Sequence, residues 1–233
     1  MTVMTTFHDR FGAGHTLRLQ QTFRSPQSLC DVAGTSVARN PAQLAKHVVS
    51  HRPDHPPTIS AFAVPRRRRG LDRNGPGTRD DPADRDERLD DTSNVIRTYL
   101  DRVERSHQPT EHALPSDDRP STPNSATPTS QATVLVLSAT PRARDEIDQA
   151  LRPDSGRWPH LDVRHATIHA PKGCEADHVI ITGVDAGGFP NRTHDDPLLQ
   201  IPLPDPDPFP DADERRLFYV ALTRARLDVL LLT

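Results

Sequence analysis

Three short stretches of this chain hold side chains suited to chemistry on a phosphate or a base. Lys172 is one of only two lysines among 233 residues, and it stands directly before Gly173 in "TIHAPKGCEADHVIITG" (167–183). A lysine can contact phosphate, and a glycine lets the backbone turn tightly or approach a ligand. Around this pair lie Thr167, His169 and Glu175. A glutamate accepts hydrogen bonds from ribose hydroxyls, and a neutral histidine can hydrogen-bond to or stack on nucleic acid. The second stretch, "LQQTFRSPQ" (19–27), sets Phe23 and Arg24 between a strand and a helix. Ligands of α/β folds gather at the C-terminal ends of strands. There Arg24 could meet a phosphate with its planar fork of donors, and Phe23 could stack on a base. The third stretch, "DADERRLFYVALTRAR" (211–226), ends with Arg224 behind Thr223.

Each stretch also has a plainer reading. Arg24 could be a surface arginine beside a packed phenylalanine. Residues 169–175 could be an ordinary strand-to-loop turn with solvated charges. Arg224 could offset the dipole of a helix end. A phosphate-binding loop of the form G-x-x-x-x-G-K-[ST] is missing, because Lys46 is followed by His47 and Lys172 by Gly173.

The elements that must position these residues alternate between strands and helices. Apolar runs predict strands at 15–19, 58–64, 133–139, 161–170, 177–183 and 227–233. "TVLVLSA" (133–139) is short and apolar enough for a buried parallel strand. Helical spacing predicts a helix after Pro26, with Leu29, Val32, Ala33 and Val37 recurring. Another is predicted over 89–105, with Leu89, Val95, Ile96, Tyr99, Leu100 and Val103 on one face, and a third over 141–151. The segment 211–226 is the clearest helix, with Asp211 and Glu214 at capping-box spacing. This alternation predicts an α/β layered fold with a mainly parallel sheet.

Hydrophobic residues make up only 33% of the chain, aromatics 4%, and there are 24 prolines, so one core plus polar, poorly ordered sequence is expected. Residues 65–88 and 108–131 are the expected disordered stretches. This divides the chain into 1–64, a polar insert at 65–131 carrying the helix 89–105, and 132–233. A net charge of −3 leaves any nucleic-acid contact to local features. Cys30 and Cys174 are the only cysteines, which argues against a zinc site or a disulfide scaffold. With no signal-peptide pattern and no apolar run near the ~20 residues of a membrane span, a soluble cytoplasmic protein is expected. A strand at the very end suggests a fragment.

In order and in content, "LQQTFRS", "TIHAPKGCEADHVIITG" and "DERRLFYVALTRAR" resemble motifs IV, V and VI of superfamily 1 DNA helicases of the UvrD/Rep type. The resemblance covers both ends and most of the chain and fails over roughly 65–131. It implies the second RecA-like domain of a P-loop-type ATPase. That domain itself carries no P-loop and closes over ATP held by a first domain. On this resemblance Arg24 and Arg224 would be arginine fingers on the γ-phosphate, which stabilise charge in phosphoryl transfer. Phe23, where tyrosine is usual, would stack on adenine, and Glu175 would meet the ribose. Lys172 and Gly173 would line the nucleotide, and Thr167 and His169 would face single-stranded DNA. The implied cofactors are ATP and Mg²⁺, and the implied partners are single-stranded DNA and a P-loop-bearing first domain or chain. The implied activity is 3′-to-5′ unwinding by the assembled enzyme, with this chain inactive alone for want of Walker A and B. Thr22, Pro171 and Cys174 depart from the pattern, and Pro171 removes a backbone donor. Two other readings stand beside it: a non-catalytic nucleic-acid or protein binding module derived from a helicase, and a decayed fragment that never folds stably.

Overall fold

The computed structural model describes residues 7–12, 14, 19–41, 43, 47–52, 59–64, 82–108, 131–170, 173–185 and 209–233. In chain order the elements are α1 (Phe7–Phe11), β1 (Gln21–Thr22), α2 (Gln27–Ala38), β2 (Val49–Ser50), β3 (Ile59–Phe62), α3 (Pro82–His107), β4 (Ala132–Ser138) and α4 (Pro141–Leu151). A single 3₁₀ turn, Arg152–Asp154, leads to β5 (Leu161–Thr167), β6 (Ala176–Thr182), α5 (Ala212–Leu222) and β7 (Ala225–Leu232).

Five strands form one sheet in the order β3-β7-β6-β4-β5, and every pairing in it is parallel. Strands buried on both faces need a near-continuous apolar run, which β4 supplies in Val134–Leu137 and β6 in Val179–Ile181. Alternate residues then serve opposite layers. Val134, Val136, Ile180, Leu230 and Leu232 pack beneath α3 and α4, with Ile96, Leu100, Val103, Ile147 and Leu151. Leu135, Leu137, Val179, Ile181 and Val229 pack beneath α2 and α5, with Leu29, Ala33, Ala221 and Leu222. The result is the expected α/β layered fold, helices on both faces of a parallel sheet.

Several local expectations are corrected. Helix α3 begins at Pro82, so residues 82–88 are helical and not part of a loop. Its apolar face is as expected, since Ile96, Tyr99, Leu100 and Val103 are all buried. In α2, Val32 is half exposed, and Cys30 is buried in its stead. The strand expected at 161–170 stops at Thr167. The helix expected at 211–226 ends at Leu222, and a strand starts at Ala225. The cause lies in the turn between them. Thr223 Oγ1 donates to the carbonyls of Tyr219 (2.9 Å) and Val220 (3.2 Å), closing the helix end. The Arg224 carbonyl then accepts from the Ala176 amide at 3.2 Å and so enters the sheet ladder. At the other end of α5, Asp211 takes a left-handed conformation (φ 54°) and its side chain makes no capping bond. The capping box read from Asp211 and Glu214 is therefore not formed by Asp211. The strand expected at 15–19 falls almost wholly outside the described residues, as do 65–81 and 109–130. A two-stranded parallel pair, β1 with β2, was not foreseen.

Candidate functional site

One loop and two turns meet at the N-terminal ends of β6 and β7. The turn after β1 brings Phe23, Arg24 and Ser25. The loop from β5 to β6 brings Gly173, Cys174 and Glu175. The α5–β7 turn brings Thr223 and Arg224. Ser25 fastens the first to the third, its buried hydroxyl donating to the Ala225 carbonyl at 2.7 Å. Gly173 allows the loop its course: its φ of 89° is left-handed, a region that L side chains rarely adopt.

Arg24 forms an ion pair with Glu175 and also donates from Nη1 to the Thr223 carbonyl at 3.4 Å. Arg224 donates from Nη1 to the Cys174 carbonyl at 3.2 Å. Arg226, the second residue of β7, pairs with the same Glu175 at 3.1 Å and approaches Asp177 at 3.9 Å. Arg52 reaches in from beyond β2 and donates to the carbonyls of Arg24 (3.0 Å) and Arg226 (3.2 Å). Four guanidinium groups thus share a corner with two carboxylates, leaving excess positive charge. The Nε atoms of Arg24 and Arg224 are buried and have no hydrogen-bond partner among the described residues. Both side chains are only partly buried, so the outer N–H groups of these cationic forks suit an incoming polyanion.

The carboxylates stay ionised. Partial burial pushes Glu175 up, but the Arg226 hydrogen bond and the Arg24 charge outweigh it and hold the group below its usual range. Asp177 is likewise raised by burial. It is held low by the Thr133 amide and hydroxyl, which donate to its Oδ2 at 2.9 and 2.8 Å, with Arg226 adding to the effect.

Phe23 is 71% exposed, yet it is not loose: its ring stacks on His51 with centroids 4.7 Å apart and 15° between planes. Thr167 lies elsewhere, buried at the C-terminal end of β5, whereas Glu175 stands before the N-terminal end of β6, at the opposite end of the parallel strands. His169 lies two residues beyond Thr167 and is exposed. The connection from β5 to β6 therefore joins the strand ends carrying Thr167 and His169 to the strand ends carrying Glu175. Lys172 belongs to this loop but lies outside the described residues.

The structure thus brings Phe23, Arg24, Gly173, Glu175 and Arg224 together and leaves Thr167 and His169 apart from them. It also corrects the expected location. Arg24 does follow the C-terminal end of β1, but β1 is outside the main sheet. The corner itself stands at N-terminal strand ends. Sequence reasoning missed Arg226, Asp177, His51 and Arg52. Arg226 carried a signal, since a strand starting at Ala225 puts 224 and 226 on the same side. Arg52 and His51 carried none.

Residues 153–233 match the UvrD-like helicase C-terminal domain family. The chain is 29% identical over 97% of its length to DNA helicase IV of Escherichia coli, of which it covers 26%. It is 38% identical over 87 residues, 37% of its length, to a "Probable DNA helicase II homolog" of Mycoplasma capricolum, of which it covers 10%. The chain therefore spans about a quarter or less of the length of these relatives. Among solved structures it resembles the C-terminal domain of a possible DNA helicase from Lactobacillus plantarum, at 14% identity and a TM-score of 0.45, covering 91% of this chain and 87% of that one.

Proposed function

We propose that this chain carries the C-terminal domain of a UvrD-like DNA helicase, and that its arginine corner closes over the triphosphate of ATP held by a P-loop-bearing first domain or chain. One observation carries the reading. Arg24 and Arg224, far apart in sequence, meet at one corner, Arg24 on Glu175 and the Thr223 carbonyl and Arg224 on the adjacent Cys174 carbonyl. A γ-phosphate placed there would take donors from both forks at once. Backbone carbonyls already hold both forks, which limits reorganisation as charge builds in the transition state. Phe23 would cover the adenine with its open face, and Glu175 would turn a carboxylate oxygen to the ribose.

The residues fit a nucleotide better than they fit a metal. Among the described residues no group of three His, Cys, Asp or Glu could hold an ion. Mg²⁺ accompanying ATP is assigned to the phosphates and the partner. Single-stranded DNA is assigned to the opposite, C-terminal ends of the strands, past Thr167 and His169. Lys172 belongs to the connection between the two. The assembled enzyme would move 3′ to 5′ along one strand in the cytoplasm, and this chain alone would not turn over ATP. Among the described residues no helix is long and apolar enough to cross a membrane.

The test is single-turnover hydrolysis in a complex or fusion with a P-loop domain, alongside thermal melts of the chain. Arg224→Ala and Arg24→Ala should each lower kcat by ~10³ or more while leaving the fold nearly unchanged. Hydrolysis by Arg224→Ala within about threefold of the parent would remove it from the site.

A further inference from the structure

Three consecutive residues, the last of β2 and the two after it, grip the Phe23–Ser25 turn almost residue by residue. Ser50 Oγ donates to the Ser25 carbonyl at 2.6 Å. The His51 amide donates to the Thr22 carbonyl at 2.9 Å, and its ring lies flat against Phe23 at 4.7 Å. Arg52 Nη1 donates to the Arg24 carbonyl at 3.0 Å and to the Arg226 carbonyl at 3.2 Å. The Arg52 amide closes the set by donating to Ser50 Oγ at 3.0 Å. Parallel pairing of Thr22 with Ser50 sets the register that makes these contacts possible.

We propose that Ser50–Arg52 is the positioning element of the nucleotide-facing turn, with His51 the second ring of a base-stacking platform and Arg52 the pin that locks the Arg24 turn to β7. The inference rests on the reading of the corner as a nucleotide site. An exposed phenylalanine on a bare turn would sample several rotamers. Stacked on His51, it is held with one face covered and the other open, which is the arrangement a purine ring needs. Pre-ordering of this kind removes part of the entropic cost of binding. Arg52 adds a second consequence. One nitrogen bonds both the turn that carries Arg24 and the strand that follows Arg224. The two candidate fingers are thereby fixed to each other through backbone, independent of any ligand. Arg52 and His51 are positioning residues: Arg52 acts through Arg24 and Arg226, and His51 acts through Phe23.

The experiment has two arms on the purified full chain. The first follows amide hydrogen exchange at residues 22–25 and 225–227 in wild type, Arg52→Ala and Arg52→Met, with melts as a control. Arg52→Ala should raise exchange at these amides by about tenfold or more while the melting curve stays close to wild type. Arg52→Met, which keeps the aliphatic stem and removes every donor, covers the case in which the alanine variant fails to fold. Unchanged exchange in a folded Arg52 variant overturns the pin. The second arm titrates ATP and inorganic tripolyphosphate, which has no base. His51→Ala should weaken ATP by about three- to tenfold and leave tripolyphosphate unchanged. Equal weakening of both, or of neither, overturns the platform. If wild type binds neither probe, the nucleotide reading fails and the platform with it, while the exchange arm still decides the role of Arg52.

Discussion

Replacing Glu175 with glutamine should have opposite effects on stability and on anion affinity. The substitution keeps side-chain volume and removes the one negative charge that Arg24 and Arg226 share. Both pairs are partly open to water, with side-chain exposures of 38% for Arg24, 28% for Glu175 and 45% for Arg226. Pairs this accessible contribute only ~0.2–1 kcal/mol each, so the variant should lose roughly 0.5–2 kcal/mol. For a domain of this size that lowers Tm by about 1–8 °C. Anion binding moves the other way. A carboxylate ~4 Å from a phosphate charge opposes it by about 1 kcal/mol in water-like surroundings, and salt reduces that further. Removing it should tighten tripolyphosphate about two- to fivefold. ATP should gain less, because the same carboxylate is proposed to receive the ribose. Calorimetric titration of both ligands at about 0.05 M and about 0.5 M salt reads the effect, which should shrink at the higher concentration. Unchanged or weaker tripolyphosphate binding by a folded variant, or a gain indifferent to salt, would refute the account of Glu175 as the charge that an incoming phosphate must overcome.

Two further outcomes follow from the same geometry. Because Asp177 is held below the usual carboxylate range, its contribution to stability is complete above that range. It is lost as pH falls through the folded value, below about pH 4. Asp177→Asn should therefore be less stable than wild type at pH 7 and show a flatter acid limb in denaturant melts; parallel curves for the two proteins would contradict this. In the core, Ile180→Ala should cost about 2–5 kcal/mol, whereas Val32→Ala should cost little, because Ile180 is fully buried and Val32 is 50% exposed. Equal losses in urea melts would show that the layers are wrongly assigned.

The strands of the central sheet were legible because burial on both faces demands continuous apolar runs, and "TVLVLSA" and "HVIIT" are such runs. The apolar face of α3 was legible for the same reason, but its first turns were not. Residues 82–88 are helical without apolar spacing to mark them. The boundary between α5 and β7 escaped because "LTRAR" suits a helix locally; the strand ladder with β6 overrules it from outside. Of the corner, Arg24, Glu175 and Arg224 were legible through the ordered motifs. His51 and Arg52 were not, since what gives them a role is a two-residue strand pairing that no periodicity could reveal.

The bonds that make the corner join residues at opposite ends of the chain: Arg24 to Thr223, 199 positions apart, Ser25 to Ala225, 200 apart, and Arg52 to Arg226, 174 apart. Closing a flexible loop of that length costs about 5 kcal/mol of chain entropy, so these contacts are poor candidates to lead folding. They also wait on synthesis. At ~5–20 residues per second, about 10–40 s pass between the emergence of Arg24 and that of its partners. Edge strand β3 waits nearly as long, because β7 is its only neighbour among the described strands. Through that interval Phe23 and His51 can already stack while Arg24 has no strand to lean on. A chain halted just short of Ala225 would hold almost every candidate residue and still have no corner.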